Sequence, residues 1–112
     1  MENKRIKLKT FTLKSDDMWL AQVIISSDGM FSCVSDYGNF SYAWRYTSEV
    51  DFRDFLLRLN IDYFCNKMET SLAYIVSNNN KVKKVCERFS EKILPQLHIE
   101  LKKDKELNPN WE

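Results

Sequence analysis

The sequence predicts an α+β domain in which a four-stranded antiparallel meander sheet is followed by two or three helices packed on one face of the sheet. Two tight turns, at residues 27–29 and 36–39, separate apolar runs of strand length. After the second turn, aromatic residues alternate with small or polar ones, which is typical of a strand with one apolar face. From residue 52 onward, apolar residues recur at helical spacing, so helices offer a partner for that face.

The first predicted strand spans residues 4–14 and carries the lysines that are typical of a sheet edge. Its four apolar residues form two pairs of opposite parity. A bulge near Lys9 or Thr10 is therefore expected to bring all four to one face. They are Ile6, Leu8, Phe11 and Leu13.

The next three strands complete the meander. Residues 18–26 form a nearly continuous apolar run, which predicts a central strand that is buried on both faces. Residues 29–35 and 39–46 follow after short turns, so the predicted strand order is 1-2-3-4. The fourth strand is expected to turn its aromatic side chains toward the helices. These are Phe40, Tyr42, Trp44 and Tyr46.

The first predicted helix has Ser48 as its N-cap and ends near Leu59. Its Phe55 is expected to pack against Trp44. A second helical segment follows directly, either as a bent continuation or as a new helix.

The rest of the chain is expected to be mainly helical. Residues 69–80 have no clear pattern, and the third helix is expected to end or bend at Pro95. Residues 96–104 fit a strand or a helix, and we favour helix because the segment is rich in Lys and Glu. We expect one domain over residues 1–104 and a frayed tail over residues 105–112.

Composition argues against several function classes. Seventeen basic and sixteen acidic residues leave a net charge of +1, which does not suit a dedicated non-specific nucleic-acid binder. The three cysteines are odd in number and widely spaced, so we expect buried free thiols and a cytoplasmic protein. The N-terminus has no apolar run of signal-peptide length.

No group of residues indicates a reaction, so we expect no enzymatic activity, no metal and no cofactor. The three cysteines and His98 match the ligand count of a zinc site, but the ligands of such sites normally come in closely spaced pairs. Only two glycines occur, and both fall in hairpin turns, which excludes a phosphate-binding loop.

The turn at residues 36–39 is the predicted partner-binding surface. Tyr37 is not needed for the turn and places a large ring at its tip, and tyrosine is enriched at interface hot spots. Asn39 follows in the turn. Arg45 points away from the aromatic face of the same strand as a charged anchor. The alternative is that Tyr37 folds back and packs locally.

Two features leave room for an anionic or nucleic-acid ligand. Lys81, Lys83 and Lys84 stand where the third helix is expected to start, although the helix dipole disfavours cations there. Either this helix starts earlier, near Ser77, which we favour, or the cluster binds an anion. The aromatic strand is alternatively a base-stacking platform, but the helices need that face as a partner.

The run VSDYGNFSYAW, followed by FRDFLLRLNIDYFCNKM, resembles a group of small proteins encoded in tailed phages and prophages. The resemblance covers roughly residues 10–68. It implies a phage or mobile-element origin and, by itself, no activity. Small non-enzymatic phage proteins often act by binding a host protein, and inhibitors of CRISPR–Cas effectors and of other defence systems are the prominent examples.

We therefore expect a non-enzymatic inhibitor or modulator that binds a host protein in the host cytoplasm by occlusion. The expected target is a defence effector such as a CRISPR–Cas component. The alternative is a small nucleic-acid-binding accessory module that uses a sheet face or the basic helix start. No membrane partner is expected, and the oligomeric state is open.

Overall fold

The computed structural model describes residues 5–72 and 79–111, and it confirms the predicted α+β meander. A four-stranded antiparallel sheet in the order β1-β2-β3-β4 is followed by three helices. The strands are β1 (Leu8–Ser15), β2 (Met18–Ser26), β3 (Met30–Ser35) and β4 (Gly38–Ala43). The helices are α1 (Phe52–Arg58), α2 (Ile61–Leu72) and α3 (Asn79–Leu107). None of the helices in the described ranges is long and apolar enough to cross a membrane.

Strand β2 is central, but only one of its faces is buried. Ala21, Val23 and Ile25 are fully buried, whereas Trp19 and Ile24 on the opposite face are 44% and 42% exposed. The prediction of burial on both faces was wrong because the helices cover one side of the sheet, which leaves the outer side of this apolar strand open.

The bulge in the first hairpin lies at the far end of β1 from the predicted position. The register shifts between Leu13 and Lys14, so that Leu20 is the extra residue on β2. Both Leu20 and the adjacent Ala21 are thereby buried. The predicted bulge near Lys9 or Thr10 is absent from β1, and the early apolar residues Ile6 and Leu8 are exposed. The edge position of β1 is confirmed.

Aromatic contacts join the inner face of the sheet to the helices. The ring centroids of Trp44 and Phe55 lie 5.5 Å apart, and both side chains are buried, as predicted. Phe31 packs edge-on against Phe64 of α2 at 5.5 Å. Such pairs contribute roughly 0.5–1.5 kcal/mol beyond the burial of their area.

The first helix starts later than predicted. Asp51 is its N-cap, and one carboxylate oxygen accepts a hydrogen bond from the Arg53 backbone N–H at 2.9 Å. Ser48, the predicted cap, lies in the preceding loop with a φ of 63°. Asp51, three residues further on, has the extended backbone that an N-cap requires, so its carboxylate caps the helix in place of the serine.

Helix α3 continues through Pro95 as one helix to Leu107. Of the two outcomes predicted at the proline, an end or a bend, the end does not occur. Buried residues on both sides of the proline, including Ile93 and Leu97, hold the two halves against the same core. The predicted helix over residues 96–104 is confirmed. The predicted start near Ser77 lies outside the described residues, as does the middle of the unpatterned segment, residues 73–78.

The C-terminal segment is not the frayed tail that the sequence suggested. Residues 105–107 complete α3, and the backbone carbonyls of Asn108 and Pro109 accept hydrogen bonds from Arg53 at 2.8 and 3.3 Å. The guanidinium carbon of Arg53 lies 5.4 Å from the centroid of the Trp111 ring. A buried cation at the start of α1 therefore anchors the end of the chain.

Candidate functional site

Among the residues that the structure describes, strand β4 has one neighbour, β3, and its other side is an edge of the sheet. The Trp44 N–H donates to the Gly29 carbonyl at 2.8 Å, so the even-numbered residues of β4 bond to β3. Because hydrogen bonding alternates along an antiparallel strand, the N–H and C=O groups of the odd-numbered residues point away from the sheet. These residues are Asn39, Ser41 and Ala43, and we call their outward backbone groups the open edge.

The two edges of the sheet differ in charge. Strand β1 carries the exposed Lys14, and a lysine on an edge strand is a usual protection against unwanted pairing, whereas Lys9 of the same strand is ion-paired with Asp104 at 3.1 Å. The six residues of β4 include no charged residue and no proline. An uncharged edge whose outward backbone groups have no strand partner in the described ranges is a template for another strand.

A lysine of α2 overhangs the inner side of β4 next to the open edge. The Nζ of half-buried Lys67 lies 5.7 Å from the centroid of the Tyr42 ring and 5.3 Å from that of the Tyr63 ring. The Tyr63 hydroxyl in turn accepts a hydrogen bond from Trp44 Nε1 at 3.2 Å. Across residues 5–72 and 79–111, no carboxylate lies within ion-pair distance of Lys67. Within those ranges its ammonium group is attracted by the faces of two aromatic rings, which carry no net charge.

The predicted partner-binding residues do not form one patch. Tyr37 lies in the β3–β4 turn and Arg45 lies beyond the other end of β4, about 25 Å away at the usual rise of an extended chain. Asn39 is exposed on β4 itself, and its Oδ1 accepts a hydrogen bond from the Ser35 N–H at 3.4 Å. The open edge is the feature that connects the three residues.

Tyr37 is half-buried and packs against the core, as its alternative interpretation proposed. The guanidinium carbon of Arg88 lies 5.6 Å from the centroid of its ring. Together with Asp36 and Val85, these two residues line a shallow pocket of about 370 Å³. The ring is therefore part of a surface shared with α3, and it is not a free tip.

Arg45 is exposed on the wall of an open cleft of about 650 Å³ between the β2–β3 turn and the loop before α1. Arg5, Asp28 and Glu49 also line this cleft, so charges of both signs are present. Basic and acidic side chains together suit polar contacts at one end of the open edge, and they do not favour a ligand of either charge.

The basic cluster at the start of α3 has carboxylates as neighbours. Lys81, Lys83 and Lys84 are all exposed. Lys83 lines a groove of about 480 Å³ between α2 and α3, and the groove also contains four acidic side chains. They are Asp62, Glu69, Glu87 and Glu91. These charges oppose the binding of an anion or of a phosphate backbone at Lys83.

The residues weighed as metal ligands or nucleophiles are three buried cysteines and the half-buried His98. Burial raises the pKa of the Cys33 and Cys86 thiols to about 12, so neither is an activated thiolate. His98 Nε2 lies 2.8 Å from the Leu56 carbonyl oxygen, and burial lowers the pKa of its ring. Within the part of the chain that the structure describes, no three His, Cys, Asp or Glu residues are grouped to hold a metal ion.

The aromatic strand does not offer the stacking platform that its alternative interpretation required. Phe40 and Trp44 are buried under the helices, with the Phe40 ring centroid 4.0 Å from that of Phe89. Tyr46 is exposed but lies beyond the end of β4. Base stacking on this face would require the core to open.

Sequence reasoning missed Lys67 and Tyr63. Their signal was present, because residues four apart on a helix lie on the same side of it, and both fall in the predicted second helical segment. The sequence did not reveal that this side of α2 faces β4 at the sheet edge.

A family model described as a phage family matches residues 1–107 of the chain. The comparison with curated proteins gave no match. The comparison with solved structures gave no match either.

Proposed function

The chain belongs to a phage protein family, and from this premise we propose that it is a non-enzymatic inhibitor or modulator that binds a host protein. The proposed target class is a defence effector, such as a CRISPR–Cas component, and the proposed place of action is the host cytoplasm. Inhibition is by occlusion, which means that the bound chain covers a surface that the target needs.

The observation that carries this proposal is the open edge of β4. It is an uncharged row of backbone groups without a strand partner among the described residues. Surfaces with interface-type residues lie at its two ends, Tyr37 with Arg88 at one and Arg45 in its cleft at the other. Tyrosine and arginine are enriched at interface hot spots. Natural proteins normally protect such an edge, so an unprotected one supports a binding role.

Occlusion fits the buried state of the candidate nucleophiles. The thiols of Cys33 and Cys86 are inaccessible as attacking groups. The His98 ring contacts α1 through the Leu56 carbonyl oxygen. A mechanism that needs only surface complementarity makes no demand on these residues. The alternative of a nucleic-acid-binding module has less support, because carboxylates surround Lys83 and the stacking face is buried.

The test is affinity capture from host lysate, with and without nuclease, followed by reconstitution of the captured protein with the purified chain. We expect capture of a specific host protein that survives nuclease treatment. We also expect that the reconstituted complex has lost the target's own ligand binding or activity. Capture that disappears with nuclease would favour the nucleic-acid module, and a complex with a fully active target would contradict occlusion.

A further inference from the structure

Resting on the proposed function, we propose that the open edge of β4 takes an extended segment of the partner as a fifth strand of the sheet. We further propose that this segment presents an Asp or Glu side chain to Lys67. The interface is thus one of strand addition, with the backbone providing the pairing and one charge providing the selection.

Hydrogen-bonding directions alternate along β4. Phe40 and Tyr42 bond to β3, so the outward N–H and C=O groups of Asn39, Ser41 and Ala43 recur at every second residue. An incoming strand about 4.8 Å away can pair with all three. The outward side chains of these residues are exposed, and none is large, so they leave the edge accessible.

Lys67 is placed to contact a side chain of the added strand. Alternate side chains of an added strand face the helices and lie beside Tyr42. Lys67 lies over the rings of Tyr42 and Tyr63 on that same side, half-buried and without a carboxylate partner among the described residues. A carboxylate on the added strand would neutralise this cation in a site partly shielded from water, where charge pairs are stronger than at the surface. A basic residue there would be repelled.

The charge of Lys67 also argues against a second copy of this chain as the occupant. A symmetric pairing of β4 with β4 forms one continuous sheet, with the α2 helices of both copies on the same face. It brings the two Lys67 side chains toward each other across the symmetry axis. Neither copy offers a carboxylate on β4 to separate them, because that strand has no charged residue.

The experiment selects binders from a displayed library of random 12-residue peptides on the purified full-length chain. Three variants are compared with the wild type. Ser41→Pro removes an outward N–H and leaves the bonds to β3 in place. Thr10→Pro makes the same change at the opposite edge, because the Ser27 N–H donates to the Lys7 carbonyl and so the Thr10 N–H points outward. Lys67→Glu reverses the selecting charge.

We expect enriched peptides that have an Asp or Glu at one fixed position and no proline around it. Their affinity falls by about tenfold or more for Ser41→Pro and stays within about twofold for Thr10→Pro. For Lys67→Glu, selection enriches Lys or Arg at the same position. In the wild type, bound peptide protects the Ser41 and Ala43 amides from hydrogen exchange, a measurement that holds even if Ser41→Pro proves unstable.

Three results would overturn the inference. These are no enrichment of peptides, equal binding to Ser41→Pro and Thr10→Pro with unprotected amides, and a wild-type dimer that Ser41→Pro converts to a monomer. The last result would make a second copy the occupant. None of them decides the proposed function, because host capture and loss of target activity are measured separately from peptide selection.

Discussion

The buried guanidinium of Arg53 donates a hydrogen bond from Nη1 to Asp104 Oδ2 at 2.8 Å, although the two residues are 51 positions apart. Its other N–H groups reach the Asp51 carboxylate and the carbonyls of Asn108 and Pro109. All five donors of the guanidinium are therefore satisfied. This contact joins the start of α1 to the end of α3, and it determines where the C-terminal segment lies.

Replacement of Arg53 by methionine should destabilise the protein by about 3–5 kcal/mol, because it removes the buried partner that Asp51 and Asp104 share. Among the described residues, Asp104 then keeps only its ion pair with Lys9, and Asp51 keeps only its longer one with Lys105. Urea unfolding measures the loss. The exposed Arg45→Met is the matched control and should change stability by less than about 0.5 kcal/mol. Equal stability of the two variants would mean that the buried contact is energetically neutral.

The same contact predicts acid sensitivity. Burial raises the pKa of the Asp51 and Asp104 carboxyls, but hydrogen bonds from Arg53 and the charges of nearby lysines outweigh it and hold both below the ordinary value of 3.8. The lysine is Lys105 at Asp51 and Lys9 at Asp104, where Asn108 also donates a hydrogen bond. The stability from these carboxylates is fully present above that value and is lost as the pH falls through the lower, folded-state pKa. Unfolding free energies measured from pH 7 to pH 3 should drop below about pH 4. Asp104→Asn should show a shallower drop, and an unchanged profile would contradict the assignment.

Phe55→Ala should cost about 3–5 kcal/mol, because the ring is buried against Trp44 and stacks with Phe52 at 5.8 Å. Denaturant melts of this variant and of the exposed Tyr46→Ala provide the comparison. A loss below about 1 kcal/mol for Phe55→Ala would be too small for a cavity of this size and would place the aromatic cluster outside the core.

Tyr37 and Arg45 should respond differently to truncation. Tyr37→Ala should lower the melting temperature, since its half-buried ring packs under Arg88, whereas Arg45→Ala should leave it unchanged. If the open edge lies between two halves of one interface, each variant should weaken host-protein binding without abolishing it. If both variants bind the host protein as tightly as the wild type does, the interface does not include the ends of β4.

The purified protein should contain no stoichiometric metal. Cys33 lies in the sheet, while Cys65, Cys86 and His98 lie on helices whose stripes pack into the core. Elemental analysis of protein purified without chelator measures the content. One equivalent of zinc would contradict this prediction and would require a site that includes residues beyond those the structure describes.

Most of the fold was predicted from local sequence patterns. The alternation through Phe40 and Trp44 and the helical spacing of Phe52 and Phe55 each determine which side of an element is apolar, and short turns leave only one simple strand order. The sequence therefore predicted the sheet, its order and the aromatic core. These features depend on neighbours that are close in the chain.

Features that depend on distant neighbours could not be predicted. From the sequence alone, Arg53 is expected on the surface of an amphipathic helix. Its burial depends on Asp104 and on the chain after Leu107, which contact it only in the folded protein. Lys67 is likewise expected to be solvated, and its contact with the Tyr42 ring depends on the packing of α2 over β4. The open edge itself follows from strand order and from the phase of hydrogen bonding, and composition records neither of these.

The most direct test of the central claim, that this phage protein binds a host protein through the open edge of β4, is a comparison of dissociation constants. The captured host protein is titrated with the wild type, Ser41→Pro and Thr10→Pro, after equal melting temperatures have been verified. The account predicts a loss of about tenfold or more for Ser41→Pro and a change within about twofold for Thr10→Pro. Equal affinities for all three proteins would contradict it.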